Sequence, residues 1–415
     1  MFTLRPYQEE AAAAATAYLT DQALRGRHGL IVQPTGAGKS LVIASVVDRL
    51  DGPCVVLQPG KEILAQNAAK LAGYGRRAAV FSASFGRREI GQITLATIGS
   101  VVRHAEAFRD VPYVLIDECH AMVSPKGGMY LDFLDALPAA RILGLTATPF
   151  RLASNSLGSQ LRFLTRTRPR IFRDVVHVTQ VDEMVRGGWW APLAYRDVRL
   201  LKQERLRLNS TGADYTDASV QRHLLEVGFV GRLVQEVAAL LDEGRRHVLV
   251  FTRFVDESRR LAAALPGAAV VTAETPPAER DRIVADFRAG RIRVVANVGV
   301  LTLGFDFPAL DTVVLGRPSI SLALYYQMVG RAVRPHQSKA QAVVVDMVGL
   351  RDRFGDVERL AVRPGGFRGE QWAVYAGSRA VTNVYFTDEA DPEIAKEAQT
   401  QQARRQYFAQ RAGRR

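Results

Sequence analysis

Cysteine is nearly absent from this 415-residue chain, which carries only Cys54 and Cys119. Two thiols make neither a disulfide framework nor a four-thiolate zinc site. Long apolar runs are missing too. None approaches the ~20 residues needed to span a bilayer, and the first residues, MFTLRPYQEE, lack the apolar core of a secretory signal. These absences point to a reducing, cytoplasmic setting with no membrane anchor and no zinc. Acidic side chains are in deficit, 42 against 55 Lys and Arg, for a formal net charge of +13. That bias suits a polyanionic partner, nucleic acid first, although charge alone does not distinguish it from a merely basic protein. With 47% hydrophobic and 23% charged residues the chain is able to build ordinary cores, and its length suits two or three domains.

Short apolar runs alternate with helical patterns. In the first part they are GLIVQP (29–34), CVVLQP (54–59), ITLATI (93–98), YVLIDE (113–118) and ILGLTAT (142–148). They are rich in Val, Ile and Leu without polar alternation, as in parallel strands buried on both faces. Helical stretches at 40–50 and 61–72 lie between them, so an α/β domain with crossover helices is predicted. A second series, HVLVFT (247–252), AAVVTA (268–273), IRVVANV (292–298), TVVLGR (312–317) and AVVVDMV (342–348), predicts a second α/β sheet. The expected segments are 1–155, a connector over 156–229, 230–350, and a basic extension over 351–415. From Arg151 to Arg173 there are six arginines and no acidic residue.

QPTGAGKS (33–40) follows a predicted strand and opens a helix. Gly36 and Gly38 let the backbone of Pro34, Thr35, Gly36, Ala37 and Gly38 wrap phosphate oxygens at a helix N-terminus. Lys39 then reaches the β- and γ-phosphates of ATP, and Ser40 holds Mg²⁺. The strict pattern has glycine where Gln33 stands, but the Gly-x-Gly-Lys-Ser core keeps the chemistry. VLIDECHAM (114–122) sets four reactive side chains in a row, Asp117, Glu118, Cys119 and His120. With the phosphate loop upstream, they read as one wall of a Mg²⁺–ATP site. Asp117, at the carboxyl end of a buried strand, approaches the Mg²⁺, and Glu118 polarises the attacking water. Upstream, Gln8 offers an amide for the adenine edge, with Arg5 and Tyr7 packing around the base.

In the second series, QMVGRAVR (327–334) sets Gln327, Arg331 and Arg334 on one face of a predicted helix. Two such arginines usually mean a solvated face. Late in a second α/β domain they suit an arginine finger. LTLGFDFP (301–308) provides Gly304 for close backbone approach and Asp306 for a ribose or bridging contact. TATP (146–149) places Thr146 and Thr148 near the junction of the lobes.

Taken in order, these segments resemble those of the superfamily 2 helicases and translocases. LRPYQ (4–8) is similar to the Q motif, PTGAGKS to motif I, DECH to the DExH form of motif II, TATP to motif III, LTLGFDFP to motif V and QMVGRAVR to motif VI. Over roughly residues 1–350 the chain resembles RadD-type bacterial DNA-repair ATPases more closely, through FTLRPYQEEA, PTGAGKSLVIA, VLIDECH, GLTATPFRL, TPPAERD and LTLGFDFP. Leu303 departs from the polar residue often found in motif V. No cysteine follows Cys119, so a zinc-binding C-terminal region is not carried over. The resemblance implies two tandem RecA-like domains with an ATP cleft between them and a short basic C-terminal extension. It implies that Gln8 reads adenine, Lys39 and Ser40 hold phosphates and Mg²⁺, Asp117 binds Mg²⁺ and Glu118 is the base. His120, Thr146 and Thr148 would couple hydrolysis to motion, and Gln327, Arg331 and Arg334 would contact the γ-phosphate across the cleft.

The implied activity is ATP-dependent movement on, or remodelling of, single-stranded or branched DNA, in repair or recombination and with repair proteins as possible partners. The alternatives are the motor of a restriction or defence complex and a DNA-stimulated ATPase that does not unwind. Backbone contacts to the track are expected from QPGKEIL (58–64) and ATIGSV (96–101), and from FTRF (251–254) and Thr275. The tail arginines Arg404, Arg405, Arg411, Arg414 and Arg415 read as a solvated run. Trp189 and Trp190 read as packing the start of the second lobe rather than stacking on bases.

Overall fold

The computed structural model describes residues 2–24, 26–122, 128–155, 158–210, 212, 214–302, 305–365 and 371–386. The chain divides into two compact units. One comprises Met1–Arg151, Phe163–Trp190 and Ala361–Trp372, the other Leu152–Arg162, Ala191–Leu360 and Ala373–Arg415.

In the first unit, eight strands form a sheet in the order Asp174–Val178, Gly29–Val32, Arg141–Thr146, Tyr113–Asp117, Cys54–Gln58, Ile93–Thr97, Ala79–Ser82, Arg87–Arg88. Every neighbouring pair is parallel except the last, which is antiparallel. Helices Pro6–Thr20, Lys39–Arg49 and Lys61–Gly73 supply Ala11, Ala15, Val42, Val46 and Leu64 to a core shared with Ile31, Val56, Leu115 and Leu143. The alanine run of the first helix lets its backbone approach the sheet closely. Each fully buried Val, Ile or Leu contributes about 1.5–3 kcal/mol of transfer free energy. This explains why the strands read as unbroken apolar runs.

The second unit holds a six-stranded, wholly parallel sheet ordered Leu193–Asp197, Ala342–Asp346, Thr312–Gly316, Val248–Thr252, Val294–Asn297, Ala268–Val271. Both sheets contain the strands predicted from the apolar runs. Each of these two sheets also takes one strand from the stretch expected to be a connector. Asp174–Val178 pairs with Gly29–Val32, and Leu193–Asp197 pairs with Ala342–Asp346. Both are half-buried edge strands that carry polar residues, such as His177 and Arg196, so they lack the continuous apolar signature. Residues after 350 are also folded in part, with helix Leu350–Phe354 and strands Leu360–Gly365, Gln371–Ala376 and Arg379–Ala380. The tail arginines lie outside the described residues. Among those described, no helix is long and apolar enough to cross a membrane.

Candidate nucleotide-binding site

The loop between strand Gly29–Val32 and helix Lys39–Arg49 is shaped by two glycines with φ of +81° each, Gly36 and Gly38. Side chains rarely adopt that conformation. A Cβ on Gly38 would also sit 2.5 Å from Gln8 Nε2. The N–H groups of Lys39 and Ser40, in the first turn, have no intrahelical acceptor and are available to an anion.

The loop is braced from below. Gln8 Nε2 donates to the Ala37 carbonyl at 2.7 Å, and Tyr7 Oη donates to the same oxygen at 3.0 Å. Gln8 Oε1 accepts from the Arg5 amide at 3.0 Å, so one N–H and one lone pair of its amide remain for a base edge. Trp190 Nε1 donates to the Thr35 carbonyl at 2.9 Å. Trp189 packs on Tyr7 with ring centroids 4.5 Å apart, and the Arg5 guanidinium lies 5.9 Å from the indole. The tryptophan pair therefore packs on the phosphate loop within the first unit, not on the start of the second. Tryptophan combines a large apolar surface with one N–H, and the Thr35 carbonyl satisfies that donor. Nothing local in the sequence signals this contact across 155 positions.

Parallel register brings the acidic residues to the same sheet edge. Val32 lies opposite Thr146, Leu145 opposite Asp117, and the Gln33 amide donates to the Thr146 carbonyl at 3.0 Å. Lys39 Nζ lies 3.2 Å from Glu118 Oε1, and His120 Nδ1 lies 3.3 Å from Glu118 Oε2. His120 Nδ1 also contacts Thr146 Oγ1 at 2.9 Å, and that oxygen accepts from the Thr148 amide at 3.0 Å. Glu118 adopts φ of +49°, unusual for a residue with a side chain, where the strand turns into a short helix. Burial would raise its pKa, but Lys39 and His120 outweigh burial and hold the carboxyl well below the usual range. Burial and then the Glu118 charge push Asp117 up to about 6.

Asp117 is positioned by two donors. Its Oδ1 accepts from the Glu118 amide at 3.0 Å and its Oδ2 from Asn67 Nδ2 at 3.2 Å. Asn67 belongs to none of the motifs in the sequence. Its signal is a polar residue buried between Leu64 and Leu71 on the apolar face of helix Lys61–Gly73. Cys119 is fully buried, and burial raises its thiol well above the ordinary value, so it is no nucleophile.

These groups fit ATP and Mg²⁺. An anion-ready helix start with a lysine beside it suits polyphosphate. The hard oxygens of Asp117 and Ser40 suit Mg²⁺, and a buried carboxylate raised by its neighbour is the kind of group a cation stabilises.

The second unit also departs from expectation at the predicted arginine face. The helix predicted to carry Gln327, Arg331 and Arg334 on one face runs only from Leu322 to Val329. Gly330 caps it, and Arg331 and Ala332 bond back to Met328 and Val329 as tight turns. Gly330 is a weak helix former and Pro335 prevents the helix from continuing. Arg331 donates to the carbonyls of Gln327 at 3.1 Å and Phe305 at 2.7 Å. Arg334 Nε lies 2.9 Å from Asp306 Oδ1. The structure thus joins Asp306 to Arg334 and Gln327 to Arg331, without a shared helical face. Gly304 and Leu303 lie outside the described residues.

Residues 1–151 match the family model of the type III restriction enzyme, res subunit, and residues 231–336 match the helicase conserved C-terminal domain. A 51.5 kDa protein of Lactococcus phage (isolate 7-9) is 26% identical over 328 residues, covering 77% of this chain and 65% of that protein. The DNA 3'-5' helicase XPB of Kineococcus radiotolerans is 28% identical over 349 residues, covering 80% of this chain and 58% of that protein. The chain thus spans less than two thirds of either relative's length. Among solved structures, the ATP-dependent Type ISP restriction-modification enzyme LlaBIII bound to DNA superposes with a TM-score of 0.58 at 17% identity, covering 84% of this chain and 28% of that one. The shared fold is a pair of RecA-like α/β domains.

Proposed function

We propose, from the premise that this chain belongs to superfamily 2 of the helicases, that it hydrolyses ATP to translocate on or remodel DNA. The observation that carries this is the linked set Lys39–Glu118–His120–Thr146 at the carboxyl ends of three parallel strands, facing a glycine-shaped phosphate loop. Lys39 is paired with Glu118 and neutralises it. A polyphosphate competes for the ammonium, and as Lys39 moves to it, Glu118 becomes more basic. Oε1 is then free to accept a proton from the attacking water, while His120 holds Oε2 in place. The amides after Gly38 orient the phosphates. Ser40 and Asp117 would hold Mg²⁺, which supplies charge neutralisation on the phosphate oxygens when bound. Asn67 keeps Asp117 in the required rotamer.

His120, Thr146 and Thr148 form the proposed path from hydrolysis to motion, because they connect Glu118 to the segment following strand Arg141–Thr146. Gln8 and Arg5 are the proposed adenine contacts. Gln327, Arg331 and Arg334, with Asp306 and Gly304, are the proposed γ-phosphate and ribose contacts. RadD-like work in DNA repair, with repair-protein partners, is the finer reading. The match of residues 1–151 to a restriction-enzyme subunit favours a second one, the motor of a restriction complex. Copurification with a methylase or nuclease subunit supports that alternative.

The deciding experiment is ATPase rate against single-stranded DNA, duplex, fork and RNA at two salt concentrations. Stimulation by DNA that weakens with salt is expected. No stimulation by any nucleic acid refutes the motor reading, and undiminished hydrolysis by Lys39→Ala refutes the site.

A further inference from the structure

The far edge of the first sheet carries an exposed hairpin that no part of the ATP site uses. Strand Ala79–Ser82 turns through Gly86, at φ of +63°, into Arg87–Arg88, with Ser82 opposite Arg87 and Phe81 opposite Arg88. All residues from 83 to 90 are exposed, and Phe85 and Ile90 are among the few large apolar side chains left in solvent. The ring of Phe85 has the Lys61 ammonium 5.4 Å from its centroid. Arg49 and Arg76 of the same unit are paired with Glu9 and Asp48. Lys61, Arg87 and Arg88 have no carboxylate partner among the described residues. Successive strand residues point to opposite faces, so one guanidinium lies on each side of the hairpin.

The hairpin is tied down at its base. The Ala83 amide donates to Ser100 Oγ at 2.9 Å, and Thr97 Oγ1 bonds both Ser82 Oγ at 3.2 Å and Ser100 Oγ at 2.9 Å. Parallel pairing puts its start at the carboxyl ends of the strands, as it does the phosphate loop. Five strand steps of about 4.8 Å separate the two, roughly 24 Å, too far to touch the nucleotide. An exposed aromatic ring among cations that lack carboxylate partners suits an unpaired base flanked by phosphates.

We propose that hairpin 83–90 is a stacking arm for single-stranded DNA, in which Phe85 takes the face of one base beside Lys61 while Arg87 and Arg88 grip the flanking phosphates. This rests on the DNA-motor reading and names a contact that reading does not contain. The test is binding of a labelled single-stranded oligonucleotide across a salt series, for the parent, Phe85→Ala and the double variant R87Q/R88Q. Melting curves and DNA-free ATPase should match the parent. Phe85→Ala is expected to weaken binding about tenfold with an unchanged salt slope, and to show no deficit on an abasic strand. The double variant is expected to lower the slope of log K against log salt by about 1.4. Parent-like affinity and slope in both variants overturn the proposal and leave Arg87 and Arg88 as charges guarding a sheet edge. A parent protein that binds no DNA overturns the motor reading itself, and the stacking arm with it.

Discussion

Replacing Glu118 with glutamine keeps the shape of the side chain but removes the charge that holds Lys39. The ammonium and carboxylate are 3.2 Å apart and only 12% and 18% exposed. At an effective dielectric of about 20, their gross attraction is about 5 kcal/mol. Desolvation and the hydration Lys39 regains on release cancel most of that, as they do for buried pairs generally. A net difference of about 1–2 kcal/mol should remain in favour of phosphate once the competing carboxylate is gone. Glu118→Gln is therefore expected to bind ATP about five- to thirtyfold more tightly than the parent, as read by titration with a fluorescent ATP analogue. Turnover should fall by about 10²–10⁴, the contribution of a general base. Unchanged or weaker ATP affinity would refute the competition between carboxylate and phosphate for Lys39. Retained turnover would refute the role of Glu118 as base.

Two further outcomes are expected. Arg334→Ala should cut DNA-stimulated turnover by about 10³ or more. Its stability should change by less than about 1 kcal/mol in chemical denaturation, because the Arg334–Asp306 pair is about 40% exposed on each side. Glu257, capping helix Val255–Ala264 through the Arg253 and Phe254 amides, is pushed up by burial to about 7. Between its ordinary 4.5 and 7 the folded state binds more protons than the unfolded chain, so this residue makes stability fall as pH rises through that window. Glu257→Gln should therefore raise the denaturation midpoint at pH 8 and leave it near the parent's at about pH 4.5. A midpoint shift of equal size at both values would contradict the assignment.

The segments that build the proposed ATP site are legible in the sequence because they are short and local. A glycine-rich turn between an apolar run and a helix, and two carboxylates at the end of another apolar run, carry their conformation with them. Local patterns mislead where tertiary contacts or an early end to the helix override them. The spacing of Gln327, Arg331 and Arg334 suits a helix, yet Gly330 ends that helix one residue before the first arginine. Chain position suggests that the tryptophans pack the start of the second lobe, but their indoles settle on Tyr7 and Thr35, far upstream. Strands Asp174–Val178 and Leu193–Asp197 leave no clear sequence signal because a sheet edge does not require an apolar run.

The sequence by itself determined two α/β units, a phosphate loop and an acidic strand end, since backbone conformation and strand burial are set by residues within a few positions of one another. Only tertiary structure decided that Asn67 orients Asp117, that His120 bridges Glu118 and Thr146, that Trp190 braces the loop and that Phe85 stands exposed beside Lys61. Those contacts depend on which strands become neighbours and in what register. That choice is made by burial across the whole sheet, not by any one segment of the chain.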